Sequence, residues 1–262
     1  MISYAPNISW LLPELPFGER PAAIARLGFK AVEFGFPSHA DLDALDVACQ
    51  EYDLQIALFN QDVPVWDRAN RGYLVDPRRR DEFRRKLDEA LQIASRLPVM
   101  KIMLPAGVVL PDMTRQEQRN CMVENLLYAA PLAADIGVLL TIEALNPEDN
   151  PGYYLTTSQE GIEVVKLVDD PNIRFQFDTY HISMVEGDLV TRLENNSQWI
   201  GHIQFADYPG RHEPGTGAID FDELWKAIEN TGYQGYIGLE YIPQAAGIES
   251  FEWVPPTKRA FV

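Results

Sequence analysis

Short apolar runs alternate with longer amphipathic stretches along the whole chain, and that alternation restricts the fold more than any other feature. The runs are Ile2–Ala5, Ala31–Phe36, Gln55–Asn60, Met100–Leu104, Leu139–Leu145, Ile173–Asp178, Ile200–Ala206 and Tyr236–Tyr241. Each is short and rich in Ile, Val, Phe or Leu, as strands buried on both faces are. Stretches with helical spacing lie between them. Glu19–Leu27 ends at Gly28, Arg78–Leu97 stops before Pro98, Thr114–Ile136 ends at Gly137 and Phe221–Thr231 ends at Gly232. A glycine just past a helix supplies the left-handed residue that closes it. Thr157 followed by Glu160 reads as a capping box opening Ser158–Val168.

Eight strand-like runs separated by helices predict an α/β fold, a (βα)8 TIM barrel forming a single domain over residues 1–262. A doubly wound sheet would show fewer strands and a glycine-rich first turn, and no GxGxxG follows Ile2–Ala5. The length of 262 residues suits one barrel; such barrels take about 250. No shift in composition and no Pro/Gly/Ser linker divides the chain.

Charge narrows the function classes. With 39 acidic and 22 basic residues the formal charge is 22 − 39 = −17. Nucleic acid and anionic membrane both require phosphate neutralisation by Lys and Arg, so neither is an expected partner. A small anionic substrate stays open, because a few local cations or a metal can invert the field inside a pocket. Met1–Pro6 has neither the basic region nor the apolar run of a signal peptide, and no stretch is long enough to span a membrane. Cys49 and Cys121 read as free thiols rather than a disulfide framework. A cytoplasmic location is the expectation; a homo-oligomer is left open.

The last four runs share one further property. Thr141-Ile142-Glu143-Ala144, Phe175-Gln176-Phe177-Asp178, His202-Ile203-Gln204-Phe205 and Gly238-Leu239-Glu240-Tyr241 all alternate polar and apolar residues. Side chains two apart on a strand face the same way. Ile142, Phe175, Phe177, Ile203, Phe205, Leu239 and Tyr241 then face the helices. Glu143, Asp178, Gln204 and Glu240 face the barrel interior near the C-terminal strand ends, where such barrels carry their active sites. Three carboxylates this close raise one another's pKa unless a cation lies between them. The donors are all oxygen, which favours a hard divalent ion, Mg²⁺ first and Mn²⁺ second, over Zn²⁺.

Other polar residues cluster near these four. His181 follows Asp178 by three residues and can reach a substrate oxygen. His202 lies one layer below Gln204 and reads as a core hydrogen-bonder. Glu33 on the second run fits either a cavity wall or a structural salt bridge. Lys101 is taken as a substrate contact, with a buried lysine–acid pair as the equal alternative. The Gly/Pro loop from Asp207 to Gly217 sits at the barrel mouth, where Arg211 can bind a substrate carboxylate bidentately.

With these residues in view, the chain resembles the hydroxypyruvate isomerase family, a branch of the xylose-isomerase-like TIM barrels. The resemblance is carried by Ala31-Val32-Glu33-Phe34, Ala57-Leu58-Phe59-Asn60, Ala106-Gly107-Val108-Val109, Ile142-Glu143-Ala144-Leu145-Asn146, Phe177-Asp178-Thr179-Tyr180-His181, His202-Ile203-Gln204, Arg211-His212-Glu213-Pro214 and Gly238-Leu239-Glu240-Tyr241. It implies a divalent metal held by Glu143, Asp178, Gln204 and Glu240, with Glu143 and Glu240 also acting as acid and base. It implies isomerisation of a small sugar acid, hydroxypyruvate to tartronate semialdehyde, with 2-oxo-tetronate isomerase or ketose 3-epimerase as alternatives. Related ketose epimerases commonly carry His where this chain has Gln204. A metal-dependent abasic-site endonuclease on the same fold would need several zinc ions held by many His, against four His here. A non-catalytic sugar-binding barrel would have no use for paired glutamates.

Overall fold

Strands and helices alternate as the apolar runs require. A computed structural model describes residues 2–63, 65–67 and 69–260, without the side chains of His39 and Ala40. Its strands are β1 (Ile2–Pro6), β2 (Ala31–Phe34), β3 (Gln55–Asn60), β4 (Lys101–Met103), β5 (Leu139–Glu143), β6 (Ile173–Asp178), β7 (Ile200–Phe205) and β8 (Gly235–Leu239). The α-helices are α1 (Arg20–Arg26), α2 (His39–Tyr52), α3 (Arg80–Arg96), α4 (Arg115–Ala134), α5 (Ser158–Val168), α6 (Thr179–Val185), α7 (Leu189–Asn196) and α8 (Phe221–Asn230). All strand pairs are parallel, in the order β1-β8-β7-β6-β5-β4-β3-β2. The seam between β1 and β2 is drawn together just past β1, where the Ile8 N–H donates to the Glu33 carbonyl at 2.7 Å. The result is the expected TIM barrel.

The alternation read from the sequence sorts the strand side chains into two layers. Ile142, Phe175, Phe177, Ile203, Phe205, Leu239 and Tyr241 are buried in the main hydrophobic cluster. Phe175 lies against Gly161 of α5, where a Cβ would fall 2.3 Å from its ring. Burial of such a side chain contributes about 1.5–3 kcal/mol. The polar set points inward: β2 and β7 are not neighbours in the sheet, yet Glu33 and His202 bond each other across the interior.

Element boundaries moved where burial and strand pairing part company. β8 ends at Leu239, so Glu240 sits one residue beyond it, although the apolar run continues to a fully buried Tyr241. The helix α2 has no glycine stop, because Asp53 takes the left-handed conformation (φ 53°) in its place. The short α6 begins directly at the end of β6. Thr157 accepts from the Glu160 N–H as expected, but the reciprocal carboxylate bond goes to Thr156; the complete capping box is Thr114 with Glu117. Cys49 and Cys121 are buried free thiols. No described helix is long and apolar enough to cross a membrane.

Candidate active site

Three acids close the C-terminal end of the barrel. Asp178 ends β6 and caps α6: its Oδ1 accepts from the N–H groups of Tyr180 (2.7 Å) and His181 (3.2 Å). That cap fixes the carboxylate and leaves Oδ2 buried with no hydrogen bond. Glu143 ends β5, and its Oε1 is likewise buried with no hydrogen-bond partner. Ligand atoms of Glu143, Asp178 and His181 all lie within 4.8 Å of one another. Glu240 comes in from beyond β8, its Oε1 held by the Trp10 indole N–H (3.1 Å) and the Asn7 amide (3.4 Å).

Arg211 stands among these acids. Its Nη2 is 3.1 Å from Glu240 Oε2 and 3.7 Å from Asp178 Oδ2, and the guanidinium lies over the rings of Trp10 (4.8 Å) and Tyr180 (5.2 Å). The loop that carries it is built around Asp207. That buried carboxylate accepts from the N–H groups of Tyr208 (2.8 Å), Gly215 (2.9 Å), Gly217 (2.8 Å) and Ile219 (3.1 Å). The loop is then tied to the segment after β8, where the Ile242 N–H donates to the Arg211 carbonyl at 2.7 Å. Arg211 itself adopts a left-handed backbone (φ 57°), a conformation that costs an L-residue about 1–2 kcal/mol. The Asp207 scaffold holds it there.

His181 is fixed in one tautomer. Its Nδ1 takes the Asn146 backbone N–H (3.3 Å) and faces the Asn146 amide nitrogen (2.7 Å). Nδ1 is therefore the acceptor and the proton sits on Nε2. Burial and the nearby Arg211 charge push its pKa well below the usual histidine value. A neutral ring in this tautomer offers Nε2–H as a hydrogen-bond donor to an oxygen.

Gln204 and Lys101 are placed differently from the expectation. Gln204 is the register partner of Asp178, but its amide lies between two neighbours, donating to Glu33 Oε2 (2.9 Å) and accepting from Gln176 (2.7 Å). One lone pair of its oxygen remains. Lys101 does not line the cavity that holds Glu143 and Glu240. Its Nζ is 3.0 Å from His202 Nδ1 and close to Gly235, at the start of β8 and hence the N-terminal end of the barrel. The reason is the rise along the strand: Met103, two residues on and on the same face, reaches the cavity, and Lys101 sits a layer below it. Lys101 is thus buried and joined to the Glu33 carboxylate through His202 rather than paired with an acid directly, and it stands away from the cavity where the sequence placed a substrate contact.

Burial sets the electrostatics. It raises Glu143 well above the ordinary carboxylate range, reinforced by the charges of Asp178 and Glu240. Burial likewise lifts Asp178 to about 7, against the pull of Arg211, and raises Glu240. Buried acids with unsatisfied oxygens and an all-oxygen donor set fit a hard divalent cation, which would relieve both the repulsion and the orphaned lone pairs. The cavity, about 500 Å³, is also lined by Trp10, Asn60, Trp66, Asp149, Asn150 and Tyr180. None of these was assigned a role from sequence, although Asn60 and Tyr180, like the histidine's partner Asn146, stand inside segments that carry the family resemblance.

Known proteins agree with this architecture. A family model described as xylose isomerase-like TIM barrel matches residues 21–256. A 2-oxo-tetronate isomerase of Cupriavidus necator is 37% identical, covering 98% of each chain. The hydroxypyruvate isomerase of Escherichia coli is 35% identical, covering 98% of this chain and 99% of its own. A crystal structure named AP endonuclease, family 2, from Brucella melitensis superimposes with a TM-score of 0.93 at 32% identity, covering 98% of this chain and all of that one. The chain thus belongs to the xylose isomerase-like TIM barrel family and, within it, to the hydroxypyruvate isomerase group of isomerases.

Proposed function

We propose that this protein interconverts hydroxypyruvate and tartronate semialdehyde (2-hydroxy-3-oxopropanoate) by proton transfer at a divalent-metal site. The observation that supports it most is the pairing of Glu143 and Glu240 in one cavity with two buried, unpartnered carboxylate oxygens. Glu143, Asp178, Gln204 and Glu240 are the residues that would hold Mg²⁺ or Mn²⁺. Such an ion supplies charge neutralisation for the negative oxygens that develop when a proton leaves the carbon beside a carbonyl.

The remaining work falls to side chains. Glu143 and Glu240 come from different strands, so one can take the proton from one carbon while the other returns a proton to its neighbour. Their raised pKa values bring them nearer to neutrality, where general acid–base catalysis is most effective. His181 donates its Nε2–H to a substrate oxygen. Arg211 receives the substrate carboxylate through its fork of N–H groups. Trp10 and Tyr180, packed on the guanidinium, hold it in place.

A second reading, isomerisation of a 2-oxo-tetronate, has its own support. Asn60, Asp149 and Asn150 line the cavity beyond the acids and offer partners for the extra hydroxyl of a four-carbon acid. The endonuclease reading is weaker. Among the described histidines, His202 is committed to Glu33 and His212 to the Ile242 carbonyl, so His181 alone is left at the site. A panel of hydroxypyruvate, 2-oxo-tetronates and ketoses, assayed with chelator, Mg²⁺ and Mn²⁺, tests the proposal. Chelator-sensitive turnover of hydroxypyruvate is expected; turnover only of ketoses, or equal rates with chelator, would overturn it.

A further inference from the structure

Beneath the acids, the barrel interior holds an ionisable group of residues for which the reaction has no direct use. Glu33, Lys101 and His202 are buried. Burial raises the Glu33 carboxyl to about 8 and lowers the Lys101 ammonium to about 8. Ions placed in a core are costly unless each is paired and hydrogen-bonded. The fold makes deliberate room for them: a Cβ on Gly238 would fall 2.2 Å from Glu33 Oε2.

Their hydrogen bonds run in a determined order. Lys101 Nζ lies 3.0 Å from His202 Nδ1, and His202 Nε2 bonds Glu33 Oε1. Glu33 Oε2 accepts from Gln204 Nε2 at 2.9 Å, and Gln204 Oε1 accepts from Gln176 Nε2 at 2.7 Å. Gln176 Oε1 in turn accepts from the Thr141 hydroxyl at 3.1 Å. A charged lysine only donates, so His202 carries its proton on Nε2 and gives it to Glu33. Should the protons shift along this relay, leaving lysine and carboxyl both neutral, the carboxyl hydrogen lies on Oε1. In both cases Oε2 stays an acceptor, and the Gln204 end facing it is the NH₂.

That order decides which end of the amide is turned toward the acids. Gln176 is the register partner of Glu143, and Gln204 that of Asp178. The Gln176 NH₂ is given to Gln204 Oε1, so the Gln204 oxygen is turned away from Glu33 and toward the strands that carry Glu143 and Asp178, with one lone pair to give. An amide oxygen ligates a hard cation; an amide NH₂ does not. Resting on the metal reading of the site, we propose that Glu33, backed by His202 and Lys101, is a positioning residue that locks the Gln204 amide with its oxygen toward the metal. A merely structural role for this buried group would affect folding stability and leave metal affinity unchanged.

The test is titration of the full-length protein with Mn²⁺, followed by electron paramagnetic resonance and calorimetry. Glu33→Gln can offer its own NH₂ to the Gln204 oxygen and so release the lock. Loss of an orienting partner weakens metal binding about 10–100-fold, and that is the expected rise in Kd. In a Gln204→Ala background the same substitution should have no further effect, because there is no amide left to orient. Should Glu33→Gln fail to fold, Glu33→Asp replaces it: the shorter carboxylate withdraws from the amide, and the same outcomes apply. An unchanged Kd in the folded variant, or an equal loss in the Gln204→Ala background, overturns the positioning role alone. Wild-type protein that binds no Mn²⁺ overturns the metal reading and this inference together.

Discussion

The Arg211 guanidinium lies 3.1 Å from the Glu240 carboxylate, so a cation from the mouth loop stands inside a group of acids from the strand ends. Glu240, Asp178 and Glu143 hold that guanidinium charged, although burial works against it. The same group proposed to bind the substrate carboxylate thus neutralises the site in this structure. Metal, substrate and Arg211 draw on one small set of carboxylate oxygens.

Replacement of Arg211 by Ala separates these roles. Without metal the variant should melt lower, by about 2–4 °C for each kcal/mol lost. At pH 8, where the acids are more fully ionised, its Mn²⁺ affinity should rise, because an internal competitor is gone. KM for the sugar acid should rise more than kcat falls, as loss of a ground-state anchor requires. Calorimetry and steady-state kinetics measure all three; a melting point and Mn²⁺ Kd identical to wild type would show that the ion pairs carry no energy.

Stability should depend on pH with a definite sign. Asp178 is lifted to about 7 and Glu143 and Glu240 are raised, so the folded state holds these protons more tightly than the unfolded chain. Unfolded carboxyls titrate near about 4. The stability these groups lend is present below that value and is lost as pH rises from about 4 through about 7. Mn²⁺ binds the ionised acids, so its stabilisation should grow over the same interval. Melting curves at pH 5, 6, 7 and 8 with and without Mn²⁺ check this; a metal-induced gain that shrinks with pH would contradict it.

Glu143→Gln and Glu240→Gln keep an oxygen ligand and remove a base. General acid–base catalysis is worth about 10²–10⁴-fold, so each variant should lose at least that much turnover while still binding Mn²⁺. Solvent deuterium should enter the product of the wild-type enzyme. Near-wild-type turnover in either metal-loaded variant would exclude the two-base scheme and leave a hydride shift as the better account.

Asp207 should matter without touching substrate. Its carboxylate gathers the loop N–H groups of Tyr208, Gly215, Gly217 and Ile219. Hydrogen bonds to a charged group contribute about 1.5–3 kcal/mol each, though not additively. Asp207→Ala should raise KM through a misplaced Arg211 and make the loop sensitive to protease. Unchanged KM and unchanged proteolysis would show that the loop holds its shape by other means.

The sequence by itself determined the layers. Polar–apolar alternation in the last four strands put Phe175, Phe177, Ile203 and Phe205 under the helices and Glu143, Asp178 and Gln204 inside, because a strand turns every second side chain to the same face. It also brought Arg211 to the mouth, since the loop after β7 opens at the C-terminal end. What it left open was how far each side chain reaches and which partner it finds. Lys101 and Met103 share a face, yet one lies at the floor of the barrel and the other in the cavity, a separation set by the rise of two residues along the strand. Gln204 bonds Glu33, which is 171 residues away in sequence, and the tautomer of His181 depends on Asn146, 35 residues away. The first pairing exists only once the barrel closes and brings β2 and β7 face to face across its interior, the second only once β5 and β6 lie side by side. Local patterning carries no record of distances between residues so far apart, and the tertiary structure alone decided them.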